Sequence, residues 1–413
     1  MYKYERTIEP TQVIYSPIMS RLSLDESFHF ELLRLLAHSS YGGADVGEVL
    51  AMSSEITPGD FESFSTVFNK RADHILEQSK SMTNDISIRD AMFRAATYYR
   101  AADFYIHGNW DDPRIIPLWN KQTLCFDQAM ARLPFPGYRK ELPGPECNIS
   151  TIFFPAGHDD QKLPTIIIGS GYDGSMEEMY HLHGAAILER GWNVICYDGP
   201  GQICSRRYQG VGFTHEWEKV LSPVVDFLDT VPSVDMTKIG VMGISMSGLL
   251  AARAAAFEPR IAAVFSIDGL YNFVDTPVFD PIHGLASFGH LKDFESAAAV
   301  FNNPSIPTTA RWALSHGLWA FNVKTPAEYL EKSKMFSLVG IADKIKCPVF
   351  VACAADDHFF KGQPEAMRDA LGDRAHYHVF TAEDAAGEHC HVGAGRHSNQ
   401  VMFDWFEKEI VKA

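Results

Sequence analysis

The chain has 413 residues, of which 46% are hydrophobic and 12% aromatic, so it can bury a large core. Its formal net charge of −16 argues against nucleic acid or an anionic membrane as a partner, because a field of that sign repels phosphate. The seven cysteines form no C-x-x-C pair, which argues against a zinc site or a disulfide framework.

Residues 1–10 lack the apolar core of a signal peptide, and no apolar run is long enough to span a membrane. We therefore predict a soluble, cytoplasmic protein. We also predict that its partner is a small-molecule substrate and that it needs no cofactor. The sequence leaves open whether the protein is a homodimer.

Residues 1–145 are predicted to form a helical N-terminal cap domain. Apolar residues recur at helical spacing over 27–39 and 61–81, and a further helix is predicted over 87–108 with Ser87 as its N-cap. No strand is predicted here. The segment 133–146 contains four prolines and two glycines, which places the domain boundary near residue 145.

From residue 147 onward, short apolar strands alternate with amphipathic helices. This pattern predicts a mostly parallel sheet with helices on both faces, and so an α/β catalytic domain over 146–413. One long interruption between two strands, at about 270–340, contains Trp312 and Trp319 and is predicted to be a helical lid insertion.

The stretch "IGVMGISMSGLLAARAAAFEP", at 239–259, passes from a β-branched run through a tight turn into an alanine-rich helix. A serine on such a turn is typical of a nucleophile elbow, whose flanking residues must be small. Ser245 has Gly243 two positions before it, but Ser247 stands two positions after it, where glycine is usual. The alternative is that Ser245 is one more small residue between a strand and a helix.

A serine nucleophile needs a base that a carboxylate orients. In an α/β-hydrolase the acid and then the histidine follow the serine in the chain. Asp357, after a strand near 348–355, is the predicted acid, with Asp356 as the fallback. His389 is the predicted base, in a loop that also holds His391 and His397.

The oxyanion requires two backbone donors, the amide after the nucleophile and one from the loop after a preceding strand. These are predicted to be the N–H groups of Met246 and Tyr172. Glycines at 169, 171 and 174 allow that loop to approach closely, although they are equally consistent with an ordinary turn.

Polar residues near the carboxyl ends of the predicted strands are candidates for substrate contacts. We predict Asp173 and Asp268 for this role, although Asp268 is also consistent with a hydrogen-bonded turn residue. Asp275 and Asp198 are weaker candidates, and "YDGPGQ" at 197–202 is interpreted as a structural turn.

The His-x-His pairs at 376/378 and 389/391 offer an alternative interpretation as metal ligands. Two histidines on one strand face lack the carboxylate or thiol partner that a site requires, so no metal is predicted.

The sequence resembles a known family in five stretches. These are "YYRAADFYIHG", "YDGPGQ", "GISMSGLLAARAAAFEPRIAAVFSIDG", "CPVFVACAADD" and "GEHCHVG". From about residue 88 to the end, the chain resembles the FrsA-like esterases of the α/β-hydrolase superfamily. Within that group it is similar to the 2,6-dihydroxypseudooxynicotine hydrolase type, which cleaves a carbon–carbon bond beside a ketone. "FELLRLL" and "YGGADVGEVL" resemble hydrolases of fungal fusarin- and cytochalasin-type polyketide pathways.

The resemblance implies a helical domain that covers the active site, and the triad Ser245, Asp357 and His389. Ser247 and Ile203 depart from the family pattern, which has glycine at both positions. We expect the first departure to affect the angle of the nucleophile and the second to affect the pocket wall.

The sequence thus predicts a serine hydrolase acting on a bulky, mostly apolar ketone, ester or amide of polyketide type, with carbon–carbon bond hydrolysis included. An alternative is that the same triad transfers the acyl group within the substrate and closes a ring. A third interpretation is a small-molecule binding protein without catalysis.

Overall fold

The computed structural model describes residues 20–279 and 299–413. Residues 1–10, on which the absence of a signal peptide was argued, lie outside the described residues, as does part of the predicted lid. Within the two described ranges, every helix is too short or too polar to cross a membrane.

The described chain begins with helices that pack through aromatic side chains. The ring of Phe28 lies 4.9 Å from that of Phe64 and 5.0 Å from that of Tyr105 between ring centroids. The helices before the first strand are α1 (Glu26–Ala37), α2 (Val46–Glu55), α3 (Phe61–Ser79), α4 (Asp85–Asp103) and α5 (Ile115–Met130).

The helix predicted over 87–108 begins earlier and ends earlier than expected. Its N-cap is Asn84, whose side-chain oxygen accepts the amides of Ile86 and Ser87 at 2.9 and 3.3 Å. The predicted cap Ser87 lies in the first turn of α4 instead, because an asparagine three residues earlier already satisfies the free amides there.

One eight-stranded sheet forms the centre of the rest of the chain, with the order β1-β2-β4-β3-β5-β6-β7-β8. From β4 to β8 in that order all neighbours are parallel, whereas β2 is antiparallel to both β1 and β4. This confirms the predicted mostly parallel α/β-hydrolase fold. The strands are β1 (Tyr138–Pro143), β2 (Asn148–Phe154), β3 (Leu163–Gly169), β4 (Asn193–Asp198), β5 (Val234–Ile244), β6 (Ala263–Ile267), β7 (Val349–Ala354) and β8 (Ala375–Phe380).

The prediction that no strand precedes residue 147 is wrong, because β1 lies within the proline-rich segment. Its pairing with β2 runs from Tyr138 opposite Phe153 to Pro143 opposite Asn148. A proline is tolerated here because β1 is an edge strand that ends at Pro143. The division of the chain into domains near residue 145 stays a prediction.

Helices cover the sheet, and the inner strands β3 to β7 are therefore buried almost throughout. A π-helical turn, Tyr180–Gly184, joins the short helices α6 and α7. The helices after β3 are α6 (Met176–Met179), α7 (Ala185–Leu188), α8 (Ile203–Tyr208), α9 (Glu218–Asp229), α10 (Met246–Ala255), α11 (Thr308–Phe321), α12 (Pro326–Ser333), α13 (Gln363–Leu371) and α14 (Gly395–Phe406).

The long interruption between β6 and β7 contains α11 and α12. The ring of Trp312 in α11 stacks on that of Phe104, which follows α4, with the centroids 5.2 Å apart. The interruption thus contacts the N-terminal helices above the carboxyl edge of the sheet. Its residues 280–298 lie outside the described residues, and its role as a lid stays a prediction.

Candidate active site

Ser245 occupies the turn between β5 and α10 in a strained backbone conformation. Its φ of 56° and ψ of −126° are unusual for a residue with a side chain. Such strain persists only where surrounding structure enforces it, and it is typical of functional sites. The turn places the hydroxyl at the carboxyl edge of the sheet, where ligands bind in α/β folds.

Glycines around Ser245 make the tight turn and its close neighbour possible. A Cβ atom at Gly243 would lie 1.8 Å from the carbonyl oxygen of Ser247, so no larger residue fits there. A Cβ atom at Gly171 would lie 2.8 Å from the carbonyl oxygen of Ile244 and 2.9 Å from the Cβ of Ser245. The loop after β3 therefore lies directly against the serine.

His389 links the serine to a carboxylate. Its Nε2 lies 3.0 Å from the Oγ of Ser245, and its Nδ1 lies 2.8 Å from Oδ2 of Asp357. The other oxygen of Asp357 accepts the amides of Phe359 and Phe360 at 2.7 and 3.2 Å. Asp357 is thus fixed by its own loop and forms a hydrogen-bonded chain with His389 and Ser245.

The fallback residue Asp356 is exposed and lies on the wall of the cavity instead of beside the imidazole. His391 is buried, and its Nδ1 lies 3.1 Å from the carbonyl oxygen of Ala386. His397 lies in α14, with its ring 5.9 Å from that of Phe380. Among the sequence candidates for acid and base, Asp357 and His389 are the pair that meets Ser245.

Burial lowers the pKa of His389, but the neighbouring carboxylates of Asp357 and Asp268 raise it more. The pKa is consequently held well above its ordinary value. The two carboxylates therefore stabilise the imidazolium that forms when His389 takes a proton.

Met246 and Tyr172, whose amides are the predicted oxyanion donors, both line the cavity together with Ser245. Neither N–H donates a hydrogen bond to another group within the described parts of the chain. The carbonyl oxygen of Tyr172 accepts from Nε2 of His316 at 2.9 Å, and its hydroxyl lies 2.9 Å from that of Tyr329. Both contacts hold the loop that carries the Tyr172 amide.

Asp173 is anchored to the N-terminal helices by arginines. Arg34 in α1 lies 3.3 Å from its carboxylate, and Arg100 in α4 donates to its carbonyl oxygen at 3.3 Å. Arg34 also binds Glu178 with contacts of 2.5 and 2.8 Å, while Arg100 lies 3.3 Å from Glu31. The predicted substrate residue Asp173 is thus part of a buried ionic cluster that also faces the cavity.

A cavity of about 1080 Å³ lies above Ser245 and His389. This volume lies just above the usual range for small-molecule sites, roughly 300–1,000 Å³. Residues of α1, α11 and the loops after β3 and β7 form the walls. Its large apolar lining residues include Phe30, Leu33, Phe104, Phe273, Trp312 and Phe359.

Comparisons with known proteins agree with this geometry. The family model described as "Esterase FrsA-like" matches residues 63–275, which is about half of the chain. The chain belongs to the FrsA-like esterase family. A second model, for the C-terminal region of BAAT and acyl-CoA thioester hydrolases, matches residues 222–370 of this FrsA-like chain.

Curated relatives of this FrsA-like chain are fungal hydrolases. Hydrolase LUC6 of a Fusarium species is 32% identical, covering 92% of this chain and 96% of the relative. The 20-hydroxy-prefusarin hydrolase FUS2 of Gibberella moniliformis is 31% identical, covering 94% and 98%. These matches confirm the predicted resemblance and show that the protein is an α/β-hydrolase enzyme.

Solved structures share the fold over nearly the whole chain. The crystal structure of 2,6-dihydroxy-pseudo-oxynicotine hydrolase aligns with a TM-score of 0.68 at 22% identity, covering 92% of this chain and 96% of that one. The structure named AbyA5 wild type aligns with a TM-score of 0.65 at 16% identity, covering 92% and 93%. At these identities the likeness shows the fold alone.

The two departures from the FrsA-like pattern are both accommodated away from the cavity. Ser247 is fully buried, and its hydroxyl donates to the carbonyl oxygen of Ser170. Ile203 is buried at the start of α8 and does not line the cavity within the described residues. The expectation that Ile203 affects the pocket wall is therefore not supported by its position.

Gln202, the last residue of "YDGPGQ", is a positioning residue that the sequence analysis did not single out. Its side-chain amide donates to the carbonyl oxygen of Ser170 and lies 3.4 Å from that of Gly171, and its oxygen accepts the amide of Gly199 at 2.8 Å. The side-chain nitrogen of Gln202 also lies 3.4 Å from the hydroxyl of Ser247. The turn therefore supports the loop beside Ser245. In the sequence, the motif "YDGPGQ" was the feature that could have indicated this role.

The remaining aspartates lie off the cavity. Asp198 is fully buried, and its carboxylate accepts the amide of Cys204 at 3.1 Å, while burial raises its pKa to about 7. Asp275 is exposed and accepts from the side chain of Asn272. Asp268 is fully buried with its Oδ2 2.9 Å from Nδ1 of His389, so its carboxylate faces the imidazole instead of the cavity.

Within 20–279 and 299–413, one group of residues has the composition of a metal site. Ligand atoms of Asp268, His389 and Cys390 lie within 4.8 Å of one another. Both nitrogens of His389 already contact Ser245 and Asp357, and burial raises the pKa of the Cys390 thiol to about 12, which disfavours a thiolate ligand. A metal here would have to displace the contacts of the hydrogen-bonded chain.

Proposed function

We propose that this FrsA-like protein is a serine hydrolase whose nucleophile is Ser245, with His389 as base and Asp357 as the acid that orients it. The observation that carries the proposal is the hydrogen-bonded chain, with contacts of 3.0 and 2.8 Å, at the base of the cavity. The strained turn at Ser245 supports it further.

The mechanism follows from these positions. The Oγ of Ser245 attacks a substrate carbonyl while Nε2 of His389 takes its proton, and Asp357 stabilises the resulting imidazolium. The amides of Met246 and Tyr172 donate to the oxyanion of the tetrahedral intermediate. His389 then protonates the leaving alcohol, amine or enolate, and water hydrolyses the acyl-enzyme by the reverse proton path.

We propose that the substrate is a bulky, mostly apolar carbonyl compound of the polyketide type. The apolar walls and the volume of about 1080 Å³ suit such a molecule. The name of the relative FUS2, a 20-hydroxy-prefusarin hydrolase, supports a secondary metabolite of this class. Asp173, which faces the cavity, is the proposed polar contact. A cytoplasmic location stays a prediction, and whether the protein forms a homodimer stays open.

Covalent labelling tests the serine mechanism without knowledge of the substrate. We expect a fluorophosphonate to add one equivalent to the wild-type protein, as measured by intact mass, and none to Ser245→Ala. Ser315→Ala is the matched control, because that serine is also buried but donates to Trp312 within α11, away from the cavity.

A wild-type protein that stays unlabelled would favour the non-catalytic binding interpretation. Loss of label in Ser315→Ala as well would indicate a general folding defect. Once a substrate is found, product mass separates hydrolysis, which adds the elements of water, from ring closure, which does not.

A further inference from the structure

His389 has a second carboxylate beside it. Asp268 follows β6, is fully buried, and adopts a φ of 60°, which is uncommon for a residue with a side chain. Its Oδ2 lies 2.9 Å from Nδ1 of His389, against 2.8 Å for Oδ2 of Asp357. The imidazole Nδ1 thus faces two acids that come from the ends of two neighbouring strands.

The same carboxylate also holds the backbone of the histidine loop. Oδ2 of Asp268 accepts the amide of Cys390, the residue after His389. Its Oδ1 has no hydrogen-bond partner within the described residues and lies 3.9 Å from Nε2 of His391. A carboxylate that served only as a turn cap would not need to lie this close to the ring of His389.

We propose that Asp268 is a positioning residue that shares the charge of the His389 imidazolium with Asp357 and can replace Asp357 as the acceptor of the Nδ1–H. Nδ1 of His389 is hydrogen-bonded to Asp357 and lies within ion-pair distance of Asp268. A small rotation of the imidazole would therefore transfer the hydrogen bond. This proposal rests on the proposed function, in which His389 is the base.

The charge distribution agrees with this role. Burial raises the pKa of the Asp268 carboxyl, but the adjacent His389 lowers it more, so that the group is held below its ordinary value and stays ionised. Two buried carboxylates then face one imidazolium. The titratable groups that face His389 are Asp268, Asp357, His358, Glu388, Cys390 and His391.

The pKa of His389, measured by NMR titration of the imidazole ¹³C–¹H signals, tests the charge directly. An opposite charge at this distance typically shifts a pKa by about 1–3 units. We therefore expect Asp268→Asn to lower the pKa of His389 by about 1 unit or more, while its amide oxygen still accepts from Cys390. A purely structural role would leave the pKa of a correctly folded variant unchanged, and that result would overturn the proposal.

Asp198→Asn is the matched control, because Asp198 is equally buried, lies at the carboxyl end of β4 and also accepts a backbone amide, but does not contact His389. It should leave the pKa of His389 unchanged. If Asp268→Asn fails to fold, the same titration of Asp357→Asn decides. The pKa of His389 should then stay above 6.5, and a fall to or below that value would overturn the proposal.

The rate of fluorophosphonate labelling provides the second measurement. When a catalytic triad has a single acid, replacing that acid typically lowers the rate by about 10⁴-fold. We expect Asp357→Asn to lose clearly less than this, and Asp357→Asn/Asp268→Asn to lose about the full amount. A loss of about 10⁴-fold in Asp357→Asn alone would contradict replacement by Asp268. If the wild-type protein is not labelled, the serine mechanism fails, but the titration still measures the charge that Asp268 places on His389.

Discussion

At the scale of single residues, the nucleophile turn depends on a neighbouring position, Gly243, that has no side chain. Ser245 keeps a positive φ between β5 and α10, and such strain costs on the order of 1–3 kcal/mol, which neighbouring contacts must offset. Gly243 makes this possible because it lets the first turn of α10 approach the end of β5.

We expect Gly243→Ala to lower the free energy of unfolding by at least about 2 kcal/mol and to abolish labelling of Ser245. The added methyl would lie 1.8 Å from the carbonyl oxygen of Ser247, so the backbone of the turn must move. Urea denaturation and intact mass measure the two effects.

Gly157→Ala is the control for this prediction, because a Cβ atom there would lie 3.5 Å from Leu163 and meets ordinary contacts only. It should change neither stability nor labelling appreciably. Full labelling of Gly243→Ala would contradict the account of the turn.

At the scale of elements, Gln202 joins three segments at the carboxyl edge of the sheet. It contacts the loop after β3 through Ser170 and Gly171, the turn after β4 through Gly199, and α10 through Ser247. The loop that carries the proposed oxyanion donor Tyr172 is thus held from one side by Gln202 and from the other by His316.

We expect Gln202→Leu to lower stability by about 1–3 kcal/mol, because it leaves buried backbone groups without partners. It should also slow fluorophosphonate labelling of the folded protein, since the loop beside Ser245 loses its support. Labelling kinetics below the unfolding transition measure the second effect.

Asn193→Leu is the matched control. Asn193 is equally buried and bridges Ala156, Thr165 and Ser233, but it lies at the amino end of β4, far from the site. It should lower stability to a similar degree and leave the labelling rate unchanged. An equal loss of rate in both variants would argue against a specific role for Gln202.

At the scale of the whole molecule, packing of the helices on the sheet buries several histidines in their neutral form. Burial lowers the pKa of His181 and His316 to about 3 and that of His183 to about 4. In the unfolded chain these side chains titrate near 6.5. Below that pH the unfolded state binds more protons, so stability must fall as the pH decreases.

We expect the free energy of unfolding to decrease from pH 6.5 to 4.5. The three histidines contribute a limiting slope of about three protons, at about 1.4 kcal/mol per pH unit for each proton, and Asp198, whose raised pKa of about 7 has the opposite sign, reduces this slope by up to one proton. The raised pKa of His389 has the opposite sign and acts above pH 6.5, outside this range. Urea denaturation at several pH values measures the slope.

His181→Phe should reduce this slope by up to one proton. Phe126→Leu is its control, because Phe126 packs 6.0 Å from the same imidazole and carries no titratable group. It should reduce stability at every pH and keep the slope. A slope that His181→Phe leaves unaltered would contradict the assignment.

Much of the fold follows from local sequence patterns. The alternation of apolar strands and amphipathic helices predicted the parallel sheet, because periodicity depends on neighbours a few residues apart. β1 was missed because its charged residues and its terminal proline give no apolar alternation, and its pairing with β2 is what makes it a strand.

The sequence by itself determined the alternation of strands and helices, and it predicted a tight turn at Ser245 and the chain order of Ser245, Asp357 and His389, since each follows a recognisable strand. Only the tertiary structure decided that Asp268 faces His389, that Gln202 supports the loop beside the serine, and that Asp173 is held by Arg34. These contacts join residues from separate elements. Their distances depend on how the helices and strands pack, which no local pattern encodes.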